Sequence, residues 1–177
     1  VMKCRVGGES FVLNTFTGSG AGGWVSRAPS GPGDDTWFDL NSCQNLFIQG
    51  GSCLACTTNV ETDTKFQGFK GLFSGESAFF IRAFSEADAG RVYYNSFGAD
   101  KEVPIQAGQT ITVDTGHVVA FTDNVQYQVG KVGGLKSLAF GGEGLVMHFS
   151  GEGSVWIQTR NMGALAASLS PFFPSSS

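Results

Sequence analysis

A short glycine turn that leads into an apolar run occurs three times along the chain and constrains its fold more than any other feature. The turns contain Gly8-Glu9, Gly75-Glu76 and Gly142-Glu143, and their glutamates are separated by 76 − 9 = 67 and 143 − 76 = 67 residues. Two equal spacings around a matching motif indicate an internal repeat, in which each copy forms the same local structure.

The repeat divides the chain of 177 residues into units that we predict to form a single domain. The predicted units are 6–72, 73–139 and a partial 140–160, followed by a short helix at 161–170. A complete leading unit would need further residues before Val1, which is not an initiating methionine. We therefore expect an N-terminal half-repeat to be missing.

Each glycine turn is followed by two short runs of apolar or β-branched residues, which are typical of strands. The first runs cover 10–16, 77–84 and 144–149 and are largely apolar on both faces. The second runs begin at Trp24-Val25, Val92 and Val155, after glycine-bearing links. Because short links usually join paired antiparallel strands, we expect each unit to begin with a β-hairpin.

The middle of the unit recurs at a slightly different spacing. The segment Gly51–Val60 aligns with Gly116–Val125 at an offset of 116 − 51 = 65 residues. The difference between 67 and 65 implies two residues of insertion or deletion, which we place in a loop such as 28–35.

Periodicity distinguishes two further strands from the one predicted helix. Val125–Val129 and Thr110–Val113 alternate apolar and polar side chains, so both are predicted to be strands with one face in water. Asn161 is placed to cap a helix over 162–169, which Pro171 would end.

Composition and charge exclude several classes of function. Glycine makes up 26 of 177 residues and lies between apolar runs, as expected for many short strands joined by turns. The 16 phenylalanines can fill a large core, while the net charge is −4 and the 11 basic residues are scattered singly. The chain therefore lacks the basic patch of a nucleic-acid-binding protein. No apolar run approaches the roughly 18–20 residues of a membrane-spanning helix.

Cys53 and Cys56 form a Cys-x-x-Cys pair, a spacing used in redox and zinc sites. In the repeat alignment they occupy the positions equivalent to Val118 and Phe121, which are apolar strand positions. Neither a following helix nor a second cysteine pair is predicted. Both are interpreted as buried thiols. The absence of a disulfide pattern fits a reducing compartment.

Neither histidine belongs to a metal-ligand or catalytic pattern. His117 and His148 have no histidine two residues away, and in the repeat alignment they occupy the positions equivalent to Ser52 and Ile81. A structural or surface role is therefore expected for both. The glycine-rich run 18–23 is not predicted to bind phosphate, because a strand follows it rather than the helix that a phosphate loop requires.

A glutamate is the charged residue present in all three turns. Glu9, Glu76 and Glu143 could meet near a symmetry axis and bind a cation, or each could accept hydrogen bonds from the backbone of its own turn. Lys3, Lys70 and Lys136 are placed to pair with them. We favour a structural role for the repeated turn, whose residues are Gly8, Glu9, Gly75, Glu76, Gly142 and Glu143.

Several motifs resemble the family named after altered inheritance of mitochondria 24. They are Gly141–Val146, Phe149–Arg160, Gly133–Ser137, Val113–Phe121 and Gly7–Phe11, and the resemblance extends over nearly the whole chain. It implies an all-β fold similar to that of tryptophan RNA-binding attenuator proteins. In such folds antiparallel β-sandwich lobes, or short double-stranded β-helices, repeat about a pseudo-symmetry axis and often assemble. The resemblance implies no catalytic residue and no cofactor.

We therefore expect a non-catalytic oligomeric scaffold or interaction module that binds no metal, with a homotrimer as the favoured assembly; the sequence identifies no protein partner. The first alternative is a module that binds a small ligand or RNA in a groove between lobes or protomers, with aromatic side chains as stacking platforms. The second is a metal-dependent barrel enzyme. We expect a cytoplasmic protein if its source is bacterial, and a mitochondrial one if its source is eukaryotic and an N-terminal segment has been lost.

Overall fold

The computed structural model of the chain describes residues 2–5, 13–29, 31–42, 44–63, 80–86, 88–131 and 145–173. Within these ranges the chain forms fourteen β-strands and one α-helix. The strands are β1 Met2–Arg5, β2 Leu13–Phe16, β3 Asp35–Leu40, β4 Asn45–Gln49, β5 Cys53–Thr57, β6 Glu61–Asp63, β7 Phe80–Phe84, β8 Gly90–Asn95, β9 Asp100–Ile105, β10 Thr110–Asp114, β11 Val118–Thr122, β12 Val125–Lys131, β13 Leu145–Gly151 and β14 Gly153–Gln158. The helix is α1 Met162–Leu169, and short 3-10 turns lie at Thr115–His117 and Ser170–Phe172.

The strands form three sheets within the described ranges. The N-terminal sheet has the order β2-β1-β5-β8-β3, the central sheet β6-β7-β4-β11-β14-β9, and the C-terminal sheet β10-β13-β12. All neighbouring strands are antiparallel, and none of these sheets closes into a barrel. The predicted all-β antiparallel fold with a short C-terminal helix is confirmed.

The inner strands of the central sheet carry apolar residues on both faces, as expected where both faces are covered. Along β4, Leu46 and Ile48 enter one hydrophobic cluster with Val92 of the N-terminal sheet. Phe47, which points to the other face, packs against a second cluster that contains Phe149 of the C-terminal sheet. Each fully buried side chain of this size contributes about 1.5–3 kcal/mol relative to an exposed one. The two clusters therefore hold the three sheets together.

The C-terminal sheet has one face in water, as predicted for its two alternating strands. In β12, Val125 is buried while Gln126 and Gln128 are exposed. In β10, Ile111 and Val113 pack against the second cluster, while the threonines between and before them are exposed. The alternation of apolar and polar residues therefore predicts a strand correctly where only one face of the sheet is covered.

The hairpins predicted after the second and third glycine turns are wrong, because the two strands that follow each of these turns enter different sheets. β7 pairs with β4 and β6, whereas β8 pairs with β3 and β5. β13 and β14 are separated only by Glu152, yet they enter the C-terminal and the central sheet. Gly151 makes this sharp change of layer possible with a φ of 107°, a left-handed conformation that favours glycine. Short links therefore connect layers here rather than neighbours in one sheet.

The predicted strand at Trp24-Val25 is also wrong. Residues 17–29 contain no strand or helix, and Trp24 is 86% exposed. Four glycines lie between residues 18 and 23, and glycine disfavours a strand because it loses more backbone entropy on ordering. β2, which precedes them, pairs with β1.

Strands β3–β8 and β9–β14 follow one pairing scheme, and they are named the first lobe and the second lobe. In the first lobe β8 lies between β3 and β5, and β7 lies between β4 and β6. In the second lobe β14 lies between β9 and β11, and β13 lies between β10 and β12. The lobes join edge to edge in the central sheet, where β4 pairs with β11.

The registers of the two lobes correspond residue by residue. The pair Asp35↔Asn95 has its counterpart in Asp100↔Gln158, at offsets of 100 − 35 = 65 and 158 − 95 = 63. β4 and β10 are also related by an offset of 110 − 45 = 65.

Both lobes also carry a β-bulge at the same place. The register shifts between Cys53 and Ala55 in β5, and between Val118 and Ala120 in β11, again at an offset of 118 − 53 = 65. A bulge adds an unpaired residue and increases the local twist. An equivalent bulge therefore gives equivalent strands the same curvature.

The C-terminal helix begins and ends as predicted. The Asn161 Oδ1 atom accepts a hydrogen bond from the Ala164 amide at 2.7 Å, which caps α1. The chain leaves α1 through the 3-10 turn that contains Pro171. No residue of α1 is buried.

Candidate functional site

The repeated glycine turn lies outside the described residues, and its structural role stays a prediction. The residues concerned are Gly8, Glu9, Gly75, Glu76, Gly142 and Glu143, together with Lys70 and Lys136, two of the lysines expected to pair with the glutamates.

The Cys-x-x-Cys pair lies in β5 with both thiols in the hydrophobic core. Cys53 is 4% and Cys56 is 1% exposed, and both belong to the first cluster. The Cys56 thiol lies 3.9 Å from the Val60 carbonyl oxygen. The prediction of buried thiols is confirmed for these two residues.

His148 is exposed on β13, where its Nδ1 atom lies 2.8 Å from the Thr112 hydroxyl. Its counterpart in the first lobe is Arg82, not Ile81 as the spacing of 67 predicts. His148 pairs with Thr112 as Arg82 pairs with Phe47, so that β7 and β13 differ by 148 − 82 = 66 residues. Only at this offset do the buried residues of β7 correspond to buried residues of β13.

A polar junction connects the end of the second lobe to the loop between the lobes. It consists of Phe97, Gly116, His117, Gln158 and Asn161. Gln158 is 9% exposed, and its Oε1 atom accepts a hydrogen bond from the Phe97 amide at 2.8 Å. Its Nε2 atom donates to the Gly116 carbonyl oxygen, also at 2.8 Å. Because both ends of the side-chain amide are paired, its burial costs little free energy.

The same junction fixes the tautomer of His117. Its Nδ1 atom lies 2.8 Å from the Gln158 carbonyl oxygen, which can only accept, so Nδ1 carries the proton. The Nε2 atom then accepts a hydrogen bond from the Asn161 side-chain amide at 2.9 Å. Both ring nitrogens are occupied, so His117 could act as a general base only after losing one of these hydrogen bonds.

The loop between the lobes, residues 96–99, is held from two sides. On one side the Gly98 amide donates to the Pro32 carbonyl oxygen at 3.0 Å, and the Asp34 amide donates to the Gly98 carbonyl oxygen at 2.9 Å. On the other side the Arg160 amide donates to Phe97 at 3.1 Å. The loop therefore fixes the lobes to each other instead of acting as a free linker.

An acidic residue next to this loop contacts a buried tyrosine. The Tyr94 hydroxyl donates to Asp100 Oδ2 at 3.2 Å, and burial raises the pKa of both groups. The Asp100 amide donates to Asp34 Oδ2 at 2.9 Å. Among the described residues, no group of three or more histidine, cysteine, aspartate or glutamate side chains is arranged to hold a metal ion.

The outer face of the N-terminal sheet displays aromatic and arginine side chains. Trp37 is 51% exposed, with the Arg91 guanidinium 5.1 Å from its ring centroid. The Arg27 guanidinium lies 3.7 Å from the ring centroid of Tyr93. Arg91 also forms a two-pronged ion pair with Asp39 at 2.6 and 3.1 Å, which lowers the pKa of that carboxyl group. Arg27 forms an ion pair with Asp35 through its Nε atom alone, at 3.1 Å.

Sequence patterns identify only part of the junction. The capping pattern identifies Asn161 as an N-cap, but not its second hydrogen bond, to His117. Gln158 ends the strand-like run that starts at Val155, and a polar side chain that follows apolar strand residues could have indicated a polar partner in the core. The Phe97 amide that it meets is 61 residues away, a distance that no local pattern spans.

No helix in the described part of the chain is long and apolar enough to cross a membrane.

Comparison with known proteins gives consistent matches. The family described as "Mitochondrial biogenesis AIM24" matches residues 1–160. An uncharacterized protein of Streptococcus pyogenes serotype M6 is 30% identical over 176 residues, which make up 99% of this chain and 69% of that protein. A Streptococcus pyogenes protein with a known crystal structure, a structural genomics target, is 27% identical with a TM-score of 0.66. That alignment covers 82% of this chain and 63% of the solved one. The chain thus spans about two thirds of the length of these relatives and belongs to the mitochondrial biogenesis AIM24 family.

Proposed function

We propose that the protein is a non-catalytic scaffold, built of repeated attenuator-protein-like lobes, that acts by assembling with copies of itself. The observation that carries the proposal is the edge-to-edge contact of the two lobes, in which β4 pairs with β11 over Leu46↔Thr122, Phe47↔Phe121 and Ile48↔Ala120. A contact of this kind uses backbone hydrogen bonds and apolar side chains, which any lobe of the same type can supply.

The surroundings of the histidines support a scaffold rather than an enzyme. The ring nitrogens of His117 both bind groups of the junction, and His148 contacts a threonine on an outer strand. A catalytic histidine instead needs a nucleophile or a substrate within reach of one nitrogen. We propose that the chain needs no cofactor and no metal, and that it works in the cytoplasm of a bacterium or, in a eukaryote, in the mitochondrion.

One observation favours the ligand-binding alternative, namely the Trp37 ring, which is exposed on the outer face of the N-terminal sheet. Exposed aromatic rings with nearby arginines can stack nucleic-acid bases. Here, however, Arg91 and Arg27 are paired with Asp39 and Asp35. The positive charge of each arginine is therefore largely neutralised by its aspartate. The net charge of −4 also opposes binding to a polyanion.

Light scattering across a range of micromolar protein concentrations tests the proposed assembly. We expect the mass of a small oligomer, with a trimer favoured, because edge-to-edge contacts between lobes can close into a ring. A single-chain mass throughout this range would contradict the scaffold function. Retention of a monomer on single-stranded RNA at physiological salt would favour the alternative, and Trp37→Ala would then abolish the retention.

A further inference from the structure

The C-terminal helix α1 depends strongly on the hydrogen bond that caps its first turn. The helix has eight residues, and none of them is buried. A helix of this length is not stable in water by itself, because its first turn fixes several residues for a single hydrogen bond. Since apolar packing adds little here, the bond from the Ala164 amide to Asn161 Oδ1 largely decides whether the segment is helical.

The side chain that caps α1 also binds the ring of His117. The Ala164 amide can only donate a hydrogen bond, so the atom that it meets is the side-chain oxygen of Asn161. The nitrogen of the same side-chain amide therefore donates to His117 Nε2, at 2.9 Å. At the other end of the ring, Nδ1 donates to the Gln158 carbonyl oxygen at 2.8 Å. These groups form one chain of hydrogen bonds between β14 and α1.

The direction of this chain of hydrogen bonds cannot be reversed. It begins at a backbone carbonyl group, which only accepts, and it ends at a backbone amide, which only donates. Between these two groups the imidazole has to be neutral, with its hydrogen on Nδ1 and a lone pair on Nε2. The arrangement therefore accommodates only one protonation state of His117.

A second proton on the His117 ring breaks the chain at Nε2. The Nδ1 hydrogen is present in both states, so the bond to Gln158 persists and holds the ring in place. The Nε2–H group would then face the amide nitrogen of Asn161, and two donors cannot bind each other. Turning the Asn161 amide over gives Nε2–H an acceptor, but it points the amide nitrogen at the Ala164 amide and removes the cap.

We propose that His117 and Asn161 form a proton-sensitive latch, which caps α1 while His117 is neutral and releases it when His117 is protonated. Histidine side chains ordinarily change charge between about pH 5 and pH 8. On release, a segment that carries the exposed side chains of Met162, Leu169 and Phe172 changes from helix to coil. The latch lies within one chain, so it stands whether or not copies of the protein assemble.

Charged groups lie around His117, but none of the described carboxylates forms an ion pair with it. The charged and titratable groups on the surrounding described elements are Asp114, Arg160, His148, Asp100 and Lys101. Asp114 is exposed, and its Oδ1 atom accepts a hydrogen bond from the Gly116 amide at 2.8 Å. The exposed Arg160 side chain lies against the loop between the lobes. The effect of protonation on α1 therefore follows from the hydrogen bonds of His117.

Nuclear magnetic resonance tests the latch, because the Cα chemical shifts of residues 164–169 report whether this segment is helical. In the wild-type protein we expect these shifts to move toward coil values as the pH falls from about 8 to about 5, in step with the ring signals of His117. The ratio of helix to coil should fall roughly fivefold, the usual effect of losing an N-cap. Helical shifts that stay unchanged while the His117 ring takes up its proton would overturn the latch.

Two substitutions of Asn161 separate the latch from a general effect of acid. Asn161→Asp keeps an oxygen for the Ala164 amide and offers a second one to protonated His117, so α1 should stay helical over the whole pH range. Asn161→Ala removes both bonds, so the segment should show coil shifts at every pH. Loss of helix on acidification in Asn161→Asp, to the extent seen in the wild type, would contradict the latch.

Substitution of each of the two histidines identifies the one that responds. His117→Gln has no group that takes up a proton in this range, so the change in α1 on acidification should disappear. His148→Gln should keep that change, because the His148 ring lies on β13 and contacts Thr112. Far-ultraviolet circular dichroism confirms that each variant keeps its strands. An acid-dependent loss of helix that survives in His117→Gln would show that another group controls α1.

Discussion

Replacing Phe121 by alanine is expected to lower the free energy of unfolding by about 3–5 kcal/mol, the usual range for a buried phenylalanine. The Phe121 side chain is 1% exposed, and its ring lies 5.0 Å from that of Phe80, 5.2 Å from those of Phe47 and Tyr127, and 5.4 Å from that of Phe149. These rings belong to strands of both lobes. A cavity here would therefore weaken the second cluster and the contact between the lobes together.

Urea unfolding followed by circular dichroism measures the effect of this substitution. The matched control is Phe172→Ala, because Phe172 is 82% exposed and removal of its ring should change the free energy of unfolding by less than about 0.5 kcal/mol. Equal effects of the two substitutions would show that the five rings do not form the core that joins the lobes.

Gly33→Ala is expected to destabilise the protein by about 3 kcal/mol, because two backbone segments meet at this position. A β-carbon on Gly33 would clash with the Ser96 carbonyl oxygen and would lie 2.7 Å from the Gly98 amide nitrogen. The neighbours are main-chain atoms, which cannot rotate away as a side chain can. The loop between the lobes would have to move, with loss of the Asp34–Gly98 and Gly98–Pro32 hydrogen bonds.

Gly31→Ala is the matched control for this substitution. Its β-carbon would lie 3.6 Å from the Phe97 ring, which is an ordinary contact. We expect a change of less than about 1 kcal/mol in either direction, mainly from the reduced entropy of the unfolded chain. Thermal unfolding of both variants measures the difference. A Gly33→Ala protein as stable as Gly31→Ala would mean that loop 96–99 does not lie against residues 31–34.

Local patterns predict the elements of this fold better than their partners. Alternation predicts β10 and β12 because each has one wet face, and the capping pattern predicts α1 because Asn161 acts within its own turn. The apolar counterparts Val118 and Phe121 predict that Cys53 and Cys56 are buried. Each of these predictions depends on a few neighbouring residues, or on a copy of the same segment.

Local sequence patterns do not predict which strands pair with each other. A short link such as Gly151–Gly153 has the same appearance whether it closes a hairpin or carries the chain into another sheet. Partners that are distant in the sequence determine which sheet a strand enters. For example, β8 lies between β3 and β5. The junction of Gln158 with Phe97 depends on the same long-range arrangement, so local sequence could not place it.

The equivalence of the two lobes is the claim on which the scaffold function depends. Interstrand nuclear Overhauser effects test it most directly, since cross-strand α-protons approach closely in antiparallel pairs. We predict contacts that define the bulge in both lobes, for Ala55 with Tyr93 and for Ala120 with Trp156, and no hairpin contacts between β7 and β8 or between β13 and β14. Hairpin contacts between those consecutive strands, or a bulge in one lobe alone, would contradict the account.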